Sequence, residues 1–290
     1  MICPMRMVLI VPAVLAALAV AGPAGAATSA VSIYSSGFSP KNVTVTQGDT
    51  VTWVNRDSVN HQVLATGGQF VSAILKPGQK YSFTFNTPGS YAYEDELHTK
   101  LTGKITVKVA PPTLTLGVSQ SSVVYGTKVT LTGTISSHAA GQQVTIYYRP
   151  YPQPNLIQRT TLLTASGGTF SFLVEPQVLT TYQASWSGAF ATPVTVQVRP
   201  HLSLGRSGAW LIHVSGGRSF AGRSVQLQRL NVSTGQWVTL RKVQLDARSS
   251  ARVTVTLPKG VNELRLTMSV NQAGAGYLGA VGPTITWRQK

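Results

Sequence analysis

Beyond residue 27 the chain alternates. Val43 and Val45, Val51 and Trp53, Phe83 and Phe85, and Tyr91 and Tyr93 each take every second position of a short run. That spacing sends side chains to one face of a β-strand, so each pair is predicted to point inward along its own strand. Gly48-Asp49 and Pro88-Gly89 supply turns between the runs. Further on, valine and threonine keep alternating, glycine and proline interrupt them about every ten residues, and no long stretch has a helical period. The predicted class is all-β, with sheets packed face to face.

The start of the chain follows a different pattern. Val8 to Val20 is an apolar run of 13 residues behind Arg6, and Ala24-Gly25-Ala26 offers small residues of the kind a signal peptidase cuts. Residues 1–26 are therefore predicted to be a signal peptide, and the protein to be exported, to an extracellular, periplasmic or cell-surface location. The alternative is a retained membrane anchor, which Pro12, Gly22, Pro23 and Gly25 weaken as a helix.

Two stiff steps divide the remainder. Ala110-Pro111-Pro112 follows the alternating run GKITVKV, and Arg199-Pro200 follows TPVTVQV. The predicted modules are 28–109, 112–199 and 200–290. The last two look like copies of one unit. A shift of 81 places Ala140, Gly141, Val144 and Ile146 on Ala221, Gly222, Val225 and Leu227, and the run beginning at Phe170 on the one beginning at Ala251. A period of about 80 to 90 residues with seven or so short strands fits an immunoglobulin-like sandwich. These segments resemble the bacterial Ig-like repeats of exported surface proteins, with Tyr182, Ala184 and Trp186 on one face of a late strand.

Charge is unevenly spread. Lys and Arg outnumber Asp and Glu by 7 to 5 over residues 28–109, by 3 to 1 over 110–198 and by 13 to 2 over 199–290. A basic last third suits an anionic wall polymer or an anionic membrane surface, and equally a solvated cationic face with no partner. Its cations are spaced singly along alternating runs, which gives no specific nucleic-acid signature. Trp210, Trp237 and Trp287 are expected in the core. The single cysteine, Cys3, precedes the apolar run, so the mature chain has no disulfide, no thiolate ligand and no thiol nucleophile.

The first module carries the chemistry. Its entry, FSPKNVTVTQGDTVTWVNRDSVNH, and its close, KPGQKYSFTFNTPGSYAYEDELHTKLTGKITV, follow in order the landmarks of the cupredoxins, the plastocyanin- and amicyanin-like blue copper proteins. The module resembles that family along almost its whole length, which implies a Greek-key sandwich with a metal site at one pole. In the family the closing loop reads Cys-x-x-His-x-x-Met in its shortest form. The resemblance places His61 and His98 at the histidine positions, Asp95 where the thiolate stands, and Leu101 at the axial methionine position, where it has no donor. Two imidazoles and a carboxylate suit Cu(II), with Zn(II) accepting the same donors, whereas a blue centre needs the missing sulfur.

Three of the chain's eight acids, Glu94, Asp95 and Glu96, are consecutive. Strand alternation puts Asp95 on the side of Tyr91 and Tyr93 and sends its neighbours elsewhere, with Glu96 the substitute ligand if Asp95 cannot reach. Asn55 is expected to tie the two ligand loops together by hydrogen bonds. His138, His201 and His213 stand alone and are read as structural or solvent-facing.

The function predicted is an exported, non-enzymatic cupredoxin-fold protein that binds Cu(II) at His61, Asp95 and His98 for capture or storage. The alternative is a metal-free fold serving surface adhesion through the basic module. A residual electron-transfer role is disfavoured, and the oligomeric state is left open.

Overall fold

The computed structural model describes residues 26–290, so the predicted signal peptide lies outside the described residues but for its last position. The described chain is nearly all β, and none of its helices is long and apolar enough to cross a membrane. It divides into two compact units, Met1–Pro111 and Pro112–Lys290.

Among its described residues the first unit has eight strands: β1 (Thr28–Tyr34), β2 (Gly37–Ser39), β3 (Asn42–Thr46), β4 (Thr50–Asn55), β5 (Val63–Ala65), β6 (Lys80–Thr84), β7 (Gly89–Asp95) and β8 (His98–Lys108). They form two four-stranded sheets, in the orders β2-β1-β4-β6 and β3-β8-β7-β5. β1 runs parallel to β4 with Val31 opposite Trp53, and β3 runs parallel to β8 with Val43 opposite Ile105. Both sheets turn their alternating apolar residues onto one core, in which Val31, Ile33, Trp53, Phe85, Tyr93 and Ile105 are almost wholly buried. Phe83 and Tyr91, expected inside, are half-buried against that core.

Strand ends place the site. β4 finishes at the fully buried Asn55, the chain passes through His61 into β5, and β7 ends at the fully buried Asp95 beside β5. His61 is clamped by a two-way backbone bridge, its amide donating to the Leu75 carbonyl at 3.1 Å and its carbonyl accepting from the Leu75 amide at 2.7 Å.

The second unit contains two sets of sheets. One packs Val129–Thr134 and its neighbours against a sheet built on Gln143–Pro150 and Thr180–Trp186; the other packs Ala209–Ser215 and its neighbours against a sheet built on Ser224–Asn231 and Gly260–Met268. The strands starting at Gln143 and Ser224 begin 81 positions apart, and each breaks register at the same offset, after Ile146 and after Leu227. Pro200 alone separates the strand ending at Arg199 from the one starting at His201. The segment after Gly260–Met268 reaches back onto the other sheets: the Leu179 amide donates to the Gly276 carbonyl, and the Tyr277 hydroxyl donates to the Gln177 carbonyl while accepting from the Gly217 amide, each at 2.8–2.9 Å. Tyr182 and Ala184 are buried. Trp210 is buried and Trp287 half-buried, with the Arg206 guanidinium 5.0 and 4.5 Å from their rings. Trp237 departs from expectation: it lies outside the core, with the Arg265 guanidinium 4.0 Å over its ring.

Candidate metal centre

Asp95 is the hub of the pole. Its side chain is 0% exposed, and both oxygens are used. Oδ1 accepts from the Gln62 amide at 2.9 Å and from the Leu97 amide at 3.1 Å; Oδ2 lies 2.6 Å from His61 Nδ1 and 2.8 Å from His98 Nδ1. The two imidazoles thus converge on one carboxylate oxygen, with ring centroids 5.0 Å apart. His61 is 1% exposed and His98 45%, so the site is closed on one side and open on the other.

The local sequence explains the geometry. A side-chain carboxylate accepting from the amide two residues on makes an Asx turn, which reverses the chain without glycine. Asp95 does this to Leu97, and β7 runs straight into β8 through Glu96 and Leu97. The expected loop over 95–101 is therefore a tight hairpin in which Asp95 and His98 are cross-strand partners, with the register shifting between Glu94 and Asp95. Leu101 sits within β8, half-buried against the core, and offers no donor. Glu96 is exposed and gives the pole only its amide, which donates to the Gln62 carbonyl at 2.8 Å.

Asn55 does not bridge the two ligand-bearing loops. Its Nδ2 donates to the carbonyls of Val59 and Leu75, both at 2.7 Å, and its Oδ1 accepts from the Asp57 amide at 2.8 Å. It shapes the turn that delivers His61. The bridge between loops is Asp95 itself, through the Gln62 amide and His61.

Asp57 was missed by sequence reasoning. Its Oδ2 lies 3.3 Å from Nε2 of His61, the ring nitrogen facing away from Asp95. The available signal was its position, an acid four residues before a ligand-position histidine in a chain with eight acids. His138, His201 and His213 are exposed and remote from this cluster in sequence and strand.

Burial pushes the Asp95 carboxyl up, but the hydrogen bonds from His61, the Gln62 amide, His98 and the Leu97 amide together outweigh it and hold the group below its ordinary 3.8. Asp57 is likewise held low, first by the Ser58 amide, against the desolvation that opposes it. Both carboxylates are thus ionised near neutral pH.

The donor set fits a divalent ion of intermediate softness. His61, Asp95 and His98 each offer one ligand atom, and these atoms lie within 4.8 Å of one another, a spacing that small side-chain movements bring onto one ion. Residues 28–109 contain neither cysteine nor methionine, so every donor the module offers is nitrogen or oxygen.

Known proteins are similar to the chain over its first unit. A family model described as a cupredoxin-like domain matches residues 6–107. Amicyanin of Paracoccus denitrificans is 39% identical over 66 residues, 21% of this chain and 50% of its own length. Plastocyanin of Scenedesmus fuscus is 33% identical over 84 residues, 24% of this chain and 86% of its own. The chain thus spans half of the amicyanin and most of the plastocyanin. Among solved structures, a purple cupredoxin from Nitrosopumilus maritimus is 29% identical, with 28% of this chain and 99% of that one covered and a TM-score of 0.27.

Proposed function

The chain belongs to the cupredoxin family through its amino-terminal module, and on that premise we propose that it binds Cu(II) for capture or storage at a site without sulfur. The observation that carries this reading is the convergence of His61 Nδ1 and His98 Nδ1 on the buried Asp95 Oδ2. Asp95 takes the position of the family's thiolate, and Leu101 leaves the axial position without a donor. Imidazole nitrogens with a hard carboxylate oxygen and no sulfur favour Cu(II) over Cu(I), which disfavours rapid electron transfer; Zn(II) accepts the same set, and copper wins an open competition by its place in the affinity order.

Each residue has a task. The backbone amides of Gln62 and Leu97 aim the Asp95 carboxylate, the Leu75 bridge fixes His61, and the exposed His98 forms the open side where an ion enters. A carboxylate oxygen only accepts, so each nitrogen on Oδ2 carries a proton in the metal-free protein. Metal binding displaces those protons, and the affinity falls in acid.

Copper titration of the full chain tests this. We expect one Cu(II) per chain, weakening of at least about tenfold for Asp95→Ala and loss of binding for the His61→Ala, His98→Ala double variant. Unchanged affinity in Asp95→Ala would rule out the carboxylate as a ligand, and an intense blue visible band would rule out a sulfur-free site.

A second reading concerns the basic last third, taken as an Ig-like sandwich following another, on a protein exported to the cell surface and acting as a binder rather than an enzyme. Among the described residues the only ion pairs are the three histidine–aspartate contacts of the first unit. The thirteen cations of residues 199–290 are thus left without acidic partners. That favours attraction to an anionic wall polymer or membrane surface. Retention of the protein on vesicles rich in anionic lipid, or on a polyphosphate wall polymer, should fall steeply with salt; salt-independent retention would count against it.

A further inference from the structure

His61 is approached from both ends of its ring. Nδ1 faces Asp95, and Nε2 faces Asp57 Oδ2 at 3.3 Å. Asp57 is itself held in place. Its amide donates to Asn55 Oδ1 at 2.8 Å, and its Oδ1 accepts from the Ser58 amide at 2.7 Å, which leaves Oδ2 turned toward the imidazole. Asn55 in turn is fully buried and pins the Val59 and Leu75 carbonyls, so the turn from 55 to 61 is fixed along its length.

We propose that Asp57 is a positioning residue for the metal site: by accepting the Nε2 proton of His61 it keeps the remaining ring proton on Nε2 once an ion displaces the one on Nδ1, so that Nδ1 is the ligating nitrogen. This inference rests on the metal-binding reading above. A neutral imidazole carries one N–H and one acceptor nitrogen, and which is which follows from the hydrogen bond the other nitrogen makes. Facing carboxylate oxygens at both ends, the metal-free ring carries a proton on each nitrogen; an ion bound at Nδ1 would replace the Nδ1 proton, which would leave to solvent, and the ring would then be the neutral imidazole with its one proton on Nε2. The proton that stays is on Nε2. In a ring 1% exposed that N–H needs a protein acceptor, and Asp57 Oδ2 is the one the structure supplies. A carboxylate there also makes Nδ1 the more basic donor. Packing already holds the ring in place; what Asp57 decides is which nitrogen faces the ion bare.

The test uses the full chain with Zn(II) as a diamagnetic probe, comparing wild type, Asp57→Ala and Asp57→Asn. Zinc affinity is measured by competition with a chelator, and the histidine ring nitrogens by NMR on protein carrying labelled histidine, of which the chain has five. In zinc-loaded wild type, the His61 Nε2 proton should be visible and slow to exchange. Asp57→Ala should bind zinc about 10- to 100-fold more weakly and lose that signal. Asp57→Asn, whose amide oxygen accepts the same proton, should restore the signal and bind close to wild type. Undiminished affinity in Asp57→Ala would overturn the proposal. So would equal weakening in both variants, because the carboxylate would then act through its charge alone. If Asp57→Ala fails to fold by its thermal melt, Asp57→Asn decides, and a tenfold loss there overturns the proposal. Failure of wild type to bind zinc or copper would defeat the metal reading itself, an outcome distinct from all of these.

Discussion

Asp95 is buried, charged and bound to four donors, and its environment makes a definite prediction for the metal-free protein. Its folded pKa lies below the ordinary 3.8. A depressed carboxylate contributes stability that is present in full above the unfolded value and is lost as pH falls through the folded one. Urea unfolding of metal-free wild type should therefore weaken as pH drops below 3.8. Asp95→Asn, whose amide turns a donor toward one imidazole, should be less stable at neutral pH by about 1–3 kcal/mol and lack that acid-dependent loss. Equal acid sensitivity in the two proteins would show that Asp95 is not the responsible group. His61, Asp95 and His98 were legible in the sequence because the family pattern fixes their spacing. Asp57 was not, because its meeting with Nε2 depends on the curvature of a turn set by the Asn55 side chain, which donates two hydrogen bonds and accepts one from the Asp57 amide.

At the scale of elements, alternation identified the strands and their inward faces, because a period of two admits only two orientations. What it missed is the β7–β8 reversal. Glu96-Leu97 carries no glycine or asparagine, and the turn is made by a side chain already assigned to the site. Gly103 shows how one element supports another. It lies opposite Tyr93 on the neighbouring strand, and a Cβ there would meet the Tyr93 ring and hydroxyl. The glycine at 103 thus has a steric cause, a ring passing over bare backbone. Tyr93 is 1% exposed, its hydroxyl has no hydrogen-bond partner among the described residues, and burial pushes it up to about 12. A ring so enclosed has little room to move. Gly103→Ala should destabilise the first unit by about 1–3 kcal/mol in urea unfolding, the usual result of overpacking. Because Tyr93 is two residues from Asp95 on the same strand, metal affinity should fall with it. A neutral effect would mean that the ring yields.

At the scale of the whole molecule, the repeat of 81 residues was readable because equivalent strands keep their apolar pattern. The docking of residues 276–277 onto the preceding sheets was not, since most of its contacts are to main-chain atoms, which leave no side-chain signature. The two compact units have separate cores, so calorimetry of the full chain should show two transitions. Zn(II) at a hundred times its Kd should stabilise the site-bearing unit by about 2.7 kcal/mol and leave the other transition in place. The second unit has its own test in Tyr277. Its hydroxyl donates to the Gln177 carbonyl and accepts from the Gly217 amide, each at 2.8 Å, and so joins connecting segments 100 and 60 residues away in sequence. Tyr277→Phe keeps the ring, which packs 5.6 Å from Phe220 and lies under the Arg218 guanidinium at 5.1 Å. Only the two hydrogen bonds are lost, leaving a donor and an acceptor half-buried and unpaired, at a cost of about 1–3 kcal/mol. The second transition should move down accordingly while zinc binding stays as in wild type. If instead it splits in two, the hydroxyl is what makes 112–290 unfold as one body; if nothing moves, water takes its place at both partners.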